Sequence, residues 1–234
     1  MDITFIECDF SDLNSVKAAG DRINSAISGL DILFCNAGIA AVPAALSKDG
    51  YEIQFAVNHI GHALLANKLL PALQRTSSQG GDARVIMTAS LGFMFANDIA
   101  FDTLQTKQEA YIMGAFRRYG QSKLANILYS AELARRHPDI TFVSVHPGVI
   151  STGIMTGLST FNRYFTEATT LFQQVSVQEG AKNQLWAAST DKAAIENGAF
   201  YEPVGQPGRQ SAATKNTKLA EQLYEWTEKA IAGY

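Results

Sequence analysis

The chain has only two cysteines, four histidines and no run of like charge. Cys8 and Cys35 each sit inside an apolar, strand-like stretch without CxxC spacing, so neither a disulfide framework nor a thiolate metal site is indicated. Both are expected to be buried free thiols. His59 and His62 share a helical face but have no third ligand near them in sequence, which leaves helix packing or capping as their expected role and no metal. The net charge is −3, and no basic cluster is present to hold a phosphate backbone, so nucleic-acid binding is not expected. No apolar stretch approaches the roughly 20 residues that span a bilayer. The opening MDITFIECDF has neither the basic n-region nor the cleavage site of a signal peptide. The chain therefore reads as soluble, without a membrane segment, and cytoplasmic. Repeats, low-complexity tracts and interdomain linkers are also missing, so residues 1–234, 47% hydrophobic, read as one domain able to bury a sizeable core.

What is present is an alternation of short β-branched runs with segments of helical length, the pattern of a parallel sheet covered on both faces. Strands are expected at 3–9, 31–37, 84–90, 141–147 and 199–204, each apolar on both sides. Leu13, Val16, Ala19, Ile23 and Ile27 recur near 3.6-residue spacing behind Asp12, predicting a crossover helix. Further helices are expected from about 50 to 74, from 116 to 136 before His137-Pro138, and from 214 to 231. Residues 91–115 and 154–175 show no clear period and read as insertions at strand ends, where binding is commonly carried.

Tyr119 and Lys123, four apart in YGQSK, share one helical face. A phenol of pKa near 10 is a poor acid or base at neutral pH, and a neighbouring ammonium favours the phenolate. At ~4 Å and an effective dielectric of ~20 that attraction is about 4 kcal/mol, enough to tune a tyrosine for proton transfer. Such a pair alone is weak, because Tyr and Lys four apart are common on helix surfaces. The order of the other polar residues strengthens it. Asn36-Ala37-Gly38 ends one expected strand, Asn58 lies in the next helix, Ser90 ends another strand, and Pro147-Gly148 with Thr152 follows the strand after Tyr119.

Together with VNHIGHALL (57–65), RVIMTAS (84–90), YGQSKLAN (119–126), HPGVIST (146–152) and QEGAKNQLWAA (178–188), these residues give a sequence that resembles the short-chain dehydrogenase/reductase family, its retinol-dehydrogenase-like branch above all. The resemblance runs along essentially the whole chain. It implies a Rossmann-like doubly wound α/β sheet and hydride transfer between a nicotinamide cofactor and a carbonyl or alcohol. By matching position, Tyr119 would be the general acid or base, Ser90 would hydrogen-bond the substrate oxygen, Lys123 would hold the nicotinamide ribose and depress the tyrosine pKa, and Asn58 would position a water beside Lys123. For the cofactor, the resemblance puts Asp9 beside the adenine, Asn36, Ala37 and Gly38 against the adenosine ribose, and Thr152, after Pro147 and Gly148, on the carboxamide. Ser90 and Tyr119 stand 29 positions apart, a gap that this branch tends to lengthen.

The same resemblance implies a preceding strand, TGxxxGxG turn, helix and second strand, which these 234 residues do not contain. The choice between NADP, the expected cofactor, and NAD lies mostly there. By themselves these residues are expected to bind cofactor weakly or not at all. In the order 3-2-1-4-5-6, the implied strands separate residues 3–9 from 31–37. Either the strand at 3–9 pairs directly with that at 31–37, or it is displaced and leaves an open sheet edge. Phe93, Phe95, Leu158, Phe161, Tyr164 and Phe165 suggest a small apolar carbonyl or alcohol as substrate, although the same residues could simply pack the insertions. A homodimer is allowed for. Two further readings stand beside the oxidoreductase: an inactive relative acting as an interaction partner, and an epimerase or dehydratase, which Asn36-Ala37-Gly38 disfavours.

Overall fold

The computed structural model describes residues 2–109, 113–150 and 174–234. Asp12 caps helix α1 (Leu13–Ala26), its carboxylate accepting from the backbone N–H groups of Asn14 and Ser15 while Leu13, Val16 and Ala19 turn into the core. Strand β1 (Ile32–Cys35) follows. Helix α2 is continuous but not uniform. It is α-helical over Ile53–Phe55, π-helical over Ala56–Ile60 and α-helical again over Gly61–Ser78. A π turn inside an α-helix often marks a functional position, and this one contains Asn58. Next come β2 (Arg84–Thr88), α3 (Gly114–Arg136) and β3 (Thr141–Val145). The described chain ends with β4 (Val149–Ile150), β5 (Gln174–Val175), α4 (Val177–Ser189), β6 (Phe200–Glu202), β7 (Gln206–Pro207) and α5 (Thr217–Ile231).

The main sheet has the order β1-β2-β3-β6-β7, parallel except for the last pair, and β4 and β5 form a separate parallel pair. Alternation within the strands fills two cores. Leu33, Cys35, Val85, Met87 and Phe142 face one side, packed with α1, α2, α3 and α5. Ile86, Val143 and Val145 face the other, against Ala187 of α4 and Tyr201 of β6. This is a Rossmann-like doubly wound sheet, as the resemblance implies, and its two covered faces are those the alternation of runs predicts. Arg84, 4% exposed, fastens α4 to β2 by donating to the carbonyls of Ala187 and Thr190. The register pairs Cys35 with Met87 and Thr88 with Val145, so the chain leaves β1, β2 and β3 at one common edge.

The expected strand at 3–9 is not formed. Residues 2–9 belong to no sheet, and Ile3 and Phe5 are 88% and 83% exposed. A strand is stable only as a member of a ladder, and these residues have none, although Cys8 and Phe10 pack on the core beside them. The outcome is the displaced alternative: among the described residues, β1 pairs only with β2 and its other edge is open. Helix α4, formed by the QEGAKNQLWAA stretch, is an addition to the expected helices. Cys35 is buried, its pKa pushed up to about 12 by desolvation, whereas Cys8 is only half-buried.

Candidate active site

Five elements, β1, α2, β2, α3 and α4, deliver polar side chains to the carboxyl edge of the sheet. Ser90, just beyond β2, caps the short turn Leu91–Phe95 by accepting from the Gly92 N–H at 3.1 Å. It also lies close enough to the Tyr119 phenol of α3 to favour the phenolate. Burial acts against it and is the larger effect, so the Tyr119 pKa lies above its usual 10. Gly92 is required here: a Cβ on it would lie 2.7 Å from Cε1 of Tyr119 and 3.4 Å from the Ser90 hydroxyl.

Lys123 is buried, 3% exposed, one turn along α3 from Tyr119. Its Nζ lies 5.7 Å from the centre of the Tyr119 ring and donates to the Thr88 carbonyl at 2.9 Å. Desolvation lowers its pKa to about 8. Spacing alone suggested an ammonium close enough to depress the phenol. Instead, burial raises the phenol and lowers the amine, because both groups have left water and the amine is held on a backbone carbonyl.

Asn58 is fully buried in the π turn of α2. Its Oδ1 accepts from the Ile39 N–H at 2.8 Å, and its Nδ2 donates to the Ile39 carbonyl and to Ser122 Oγ, both at 2.9 Å. Ser122 in turn donates to the Tyr119 carbonyl at 2.7 Å. Asn58 thus pins the loop after β1 against the helix that carries Tyr119 and Lys123. Gly38 lies inside this junction, where a Cβ would be 2.9 Å from Asn58 Oδ1 and 3.5 Å from Lys123 Nζ.

Asn36 and Ala37 are exposed at the end of β1. The Asn36 Oδ1 accepts from Gln184 Nε2 at 2.5 Å and from the Thr88 hydroxyl at 3.2 Å. The Ala37 carbonyl accepts from His62 Nε2 at 2.8 Å. His62 packs against Phe10, the residue after Asp9, with ring centres 4.2 Å apart and planes tilted by 37°. Asp9 itself is exposed and accepts from the Ser11 hydroxyl and N–H, which lower its pKa, with Lys48 Nζ 3.8 Å away. Pro147 and Gly148 follow β3 at the common edge, Gly148 at φ +91°. Thr152 lies outside the described residues.

Sequence reasoning did not find Gln184, Ser122 or Gly92. Gln184 lies within the quoted QEGAKNQLWAA, and Ser122 within YGQSK, but neither motif says what its polar side chain touches. Of the six apolar candidates, Phe93 is fully buried and packs edge-on against Phe200, so it belongs to the core and lines no open site. Phe95 is 45% exposed and borders a cavity of about 620 Å³ with Ile99, Thr103, Arg117 and Gln121. Leu158, Phe161, Tyr164 and Phe165 lie outside the described residues.

The sheet and the cluster at its carboxyl edge define a Rossmann-like α/β protein with its reactive groups where parallel sheets present them. A family model described as Enoyl-(Acyl carrier protein) reductase matches residues 1–201. An uncharacterized oxidoreductase of Schizosaccharomyces pombe is 37% identical over 97% of this chain and 69% of its own length. Retinol dehydrogenase 12 of Mus musculus is 33% identical over 92% of this chain and 66% of its own. The crystal structure of a putative uncharacterized protein from Mycobacterium Paratuberculosis superposes with a TM-score of 0.72 at 30% identity, covering 97% of this chain and 74% of the other. The chain belongs to the short-chain dehydrogenase/reductase family of oxidoreductases, with retinol dehydrogenases among its relatives.

Proposed function

We propose that the protein reduces a small apolar carbonyl compound with a nicotinamide cofactor, NADP by expectation, and that Tyr119 is the general acid. The observation that carries this reading is the Tyr119 phenol set beside Ser90 and a buried Lys123, whose Nζ lies 5.7 Å from the ring centre. A phenol whose pKa is raised by burial holds its proton at neutral pH, which is the form that can protonate a developing alkoxide. The Ser90 hydroxyl lies beside the phenol, so a substrate oxygen placed against both would meet two donors.

The residues present fit a dinucleotide. An ammonium has three N–H donors, and among the described residues only the Thr88 carbonyl takes one from Lys123, which leaves donors for ribose hydroxyls. The close approach at Gly38 and the exposed backbone at Asn36 and Ala37 suit the adenosine half. When bound, the reduced nicotinamide supplies the hydride. This chain's own residues hold it and move the proton: Lys123 and Asn36 orient, Ser90 binds the substrate oxygen, Tyr119 donates its proton to that oxygen, and Asn58 keeps the loop and α3 in register. An apolar substrate, of the kind the name retinol dehydrogenase implies, agrees with the partly exposed Phe95.

The test is consumption of NADPH with apolar aldehydes and ketones by a chain carrying the phosphate-binding turn. Alcohol formed in step with oxidised cofactor supports the reading, and cofactor left unchanged across the panel contradicts it. The open edge of β1, with Ile32 and Phe34 36% and 41% exposed, favours one second reading, a shell without turnover. Turnover separates the two: alcohol formed by the chain carrying the phosphate-binding turn removes the second, whereas a folded chain that binds NADPH and leaves every carbonyl compound unreduced supports it.

A further inference from the structure

Behind Lys123 lies a line of buried polar groups that the mechanism above does not use. The Thr88 carbonyl that holds Lys123 Nζ also accepts from Asn126 Nδ2 at 3.1 Å. Asn126 Nδ2 donates as well to the Asn58 carbonyl at 3.0 Å, inside the π turn. With both amide hydrogens directed at carbonyls, the orientation of the Asn126 side chain is fixed and its Oδ1 must point away from them. That oxygen faces His59 Nδ1 at 3.3 Å, and His59 Nε2 lies 2.9 Å from the Thr227 hydroxyl on α5. Asn126 is 2% exposed, His59 1% and Thr227 fully buried, so water cannot substitute for a lost partner.

Counting donors settles the protonation pattern. Asn126 Oδ1 can only accept, so His59 must carry its proton on Nδ1, and Nε2 is then an acceptor that takes the Thr227 O–H. The opposite tautomer would set two lone pairs against each other in a dry site.

We propose that His59 is a positioning residue: its Nδ1–H locks the Asn126 amide, which shares the Thr88 carbonyl with Lys123 and so fixes the place and the basicity of the catalytic amine. The line ties the C-terminal helix α5 to the reacting groups across α2 and α3. Burial keeps the ring neutral, its pKa lowered to about 3, so the lock does not titrate in the working range. The other titratable groups facing His59 are His62 on its own helix and Tyr129 on α3, which bonds Glu228 of α5. Lys123 is in turn a charged neighbour of His62 and helps lower its pKa.

The inference rests on the reading of Lys123 as a catalytic group, and its test does not need turnover. A long-range proton–nitrogen correlation spectrum of the isotope-labelled protein should show His59 neutral with the proton on Nδ1; a proton on Nε2 overturns the proposal. In His59→Leu the freed carbonyl and loosened amide should raise the Lys123 titration midpoint by about half a unit, roughly threefold in the equilibrium. His59→Asn, which retains a donor toward Asn126, should restore it. A Lys123 midpoint unchanged in a folded His59→Leu protein overturns the proposal as well. Absence of NADPH consumption would remove the enzyme reading without touching the tautomer, so the two failures are distinct.

Discussion

The Asn36 side-chain oxygen and the Gln184 side-chain nitrogen are 2.5 Å apart, although 148 residues separate them. Gln184 also reaches the Thr88 hydroxyl at 2.9 Å, so α4 closes the gap between the ends of β1 and β2. Replacing Gln184 with Ala should cost about 1 kcal/mol in urea unfolding and release Asn36, weakening cofactor binding more than it slows hydride transfer. A variant with a changed rate constant and unchanged cofactor affinity would contradict the clamp.

Gly92→Ala tests how closely the Tyr119 ring is held. The added Cβ would lie 2.7 Å from Cε1, nearer than packing allows, and the ring must shift. Turnover should fall ~10²-fold, as expected for a reacting group displaced by about 1 Å. Stability should fall by about 1–3 kcal/mol from overpacking, read by denaturant unfolding.

Arg118, next to Tyr119 in sequence, is 5% exposed and its Nε lies 3.2 Å from the fully buried Glu52 carboxylate. The guanidinium also donates to the Val42 and Gln108 carbonyls, and Glu52 accepts the Phe55 N–H at 2.7 Å, which joins two loops to the start of α2 and α3. Glu52→Ala leaves Arg118 buried without its counter-ion and should cost about 3–5 kcal/mol. The double exchange of Glu52→Leu with Arg118→Met should recover most of that loss in equilibrium unfolding.

Three buried histidines set an acid limit. Burial lowers the pKa of His59 to about 3 and those of His62 and His146 to about 4, from an ordinary 6.5. As pH falls through 6.5 the unfolded chain takes up protons that the folded chain refuses until about 3 to 4. Stability therefore drops across that window and is unaffected by these groups above it. Glu52 and Glu228, held above their ordinary 4.5 by burial, act in the opposite sense near the bottom of the window. Circular dichroism melts between pH 7 and pH 4.5 should show a falling midpoint, with a smaller slope in His62→Gln. A flat midpoint would contradict the assignment.

Legibility in the sequence followed burial. β2 and β3 are buried along their whole length, and their short β-branched, mostly apolar runs mark them as strands covered on both faces. Asp12 marked the start of α1 because a capping carboxylate acts within its own turn. Residues 3–9 show the limit of that reasoning: alternation describes the faces of a strand, whereas the ladder partner that makes it a strand lies elsewhere in the chain. The site divides in the same way. Tyr119 and Lys123 are one helical turn apart and could be read as a pair, and ordered motifs added Ser90 and Asn58. The contacts of Asn126 with His59 and Thr88, and of Gln184 with Asn36, join distant segments and carry no local signature. The direction of the Tyr119 shift depends on desolvation, which spacing does not report.

The role of Tyr119 is decided by turnover of NADPH and an apolar carbonyl compound by Tyr119→Phe beside the unaltered enzyme, with cofactor affinity measured on both. Turnover should fall to background with affinity nearly unchanged, because the exchange removes the phenol hydroxyl that would donate the proton and leaves Ser90, Lys123 and the fold in place. Turnover retained in the phenylalanine variant would contradict that role.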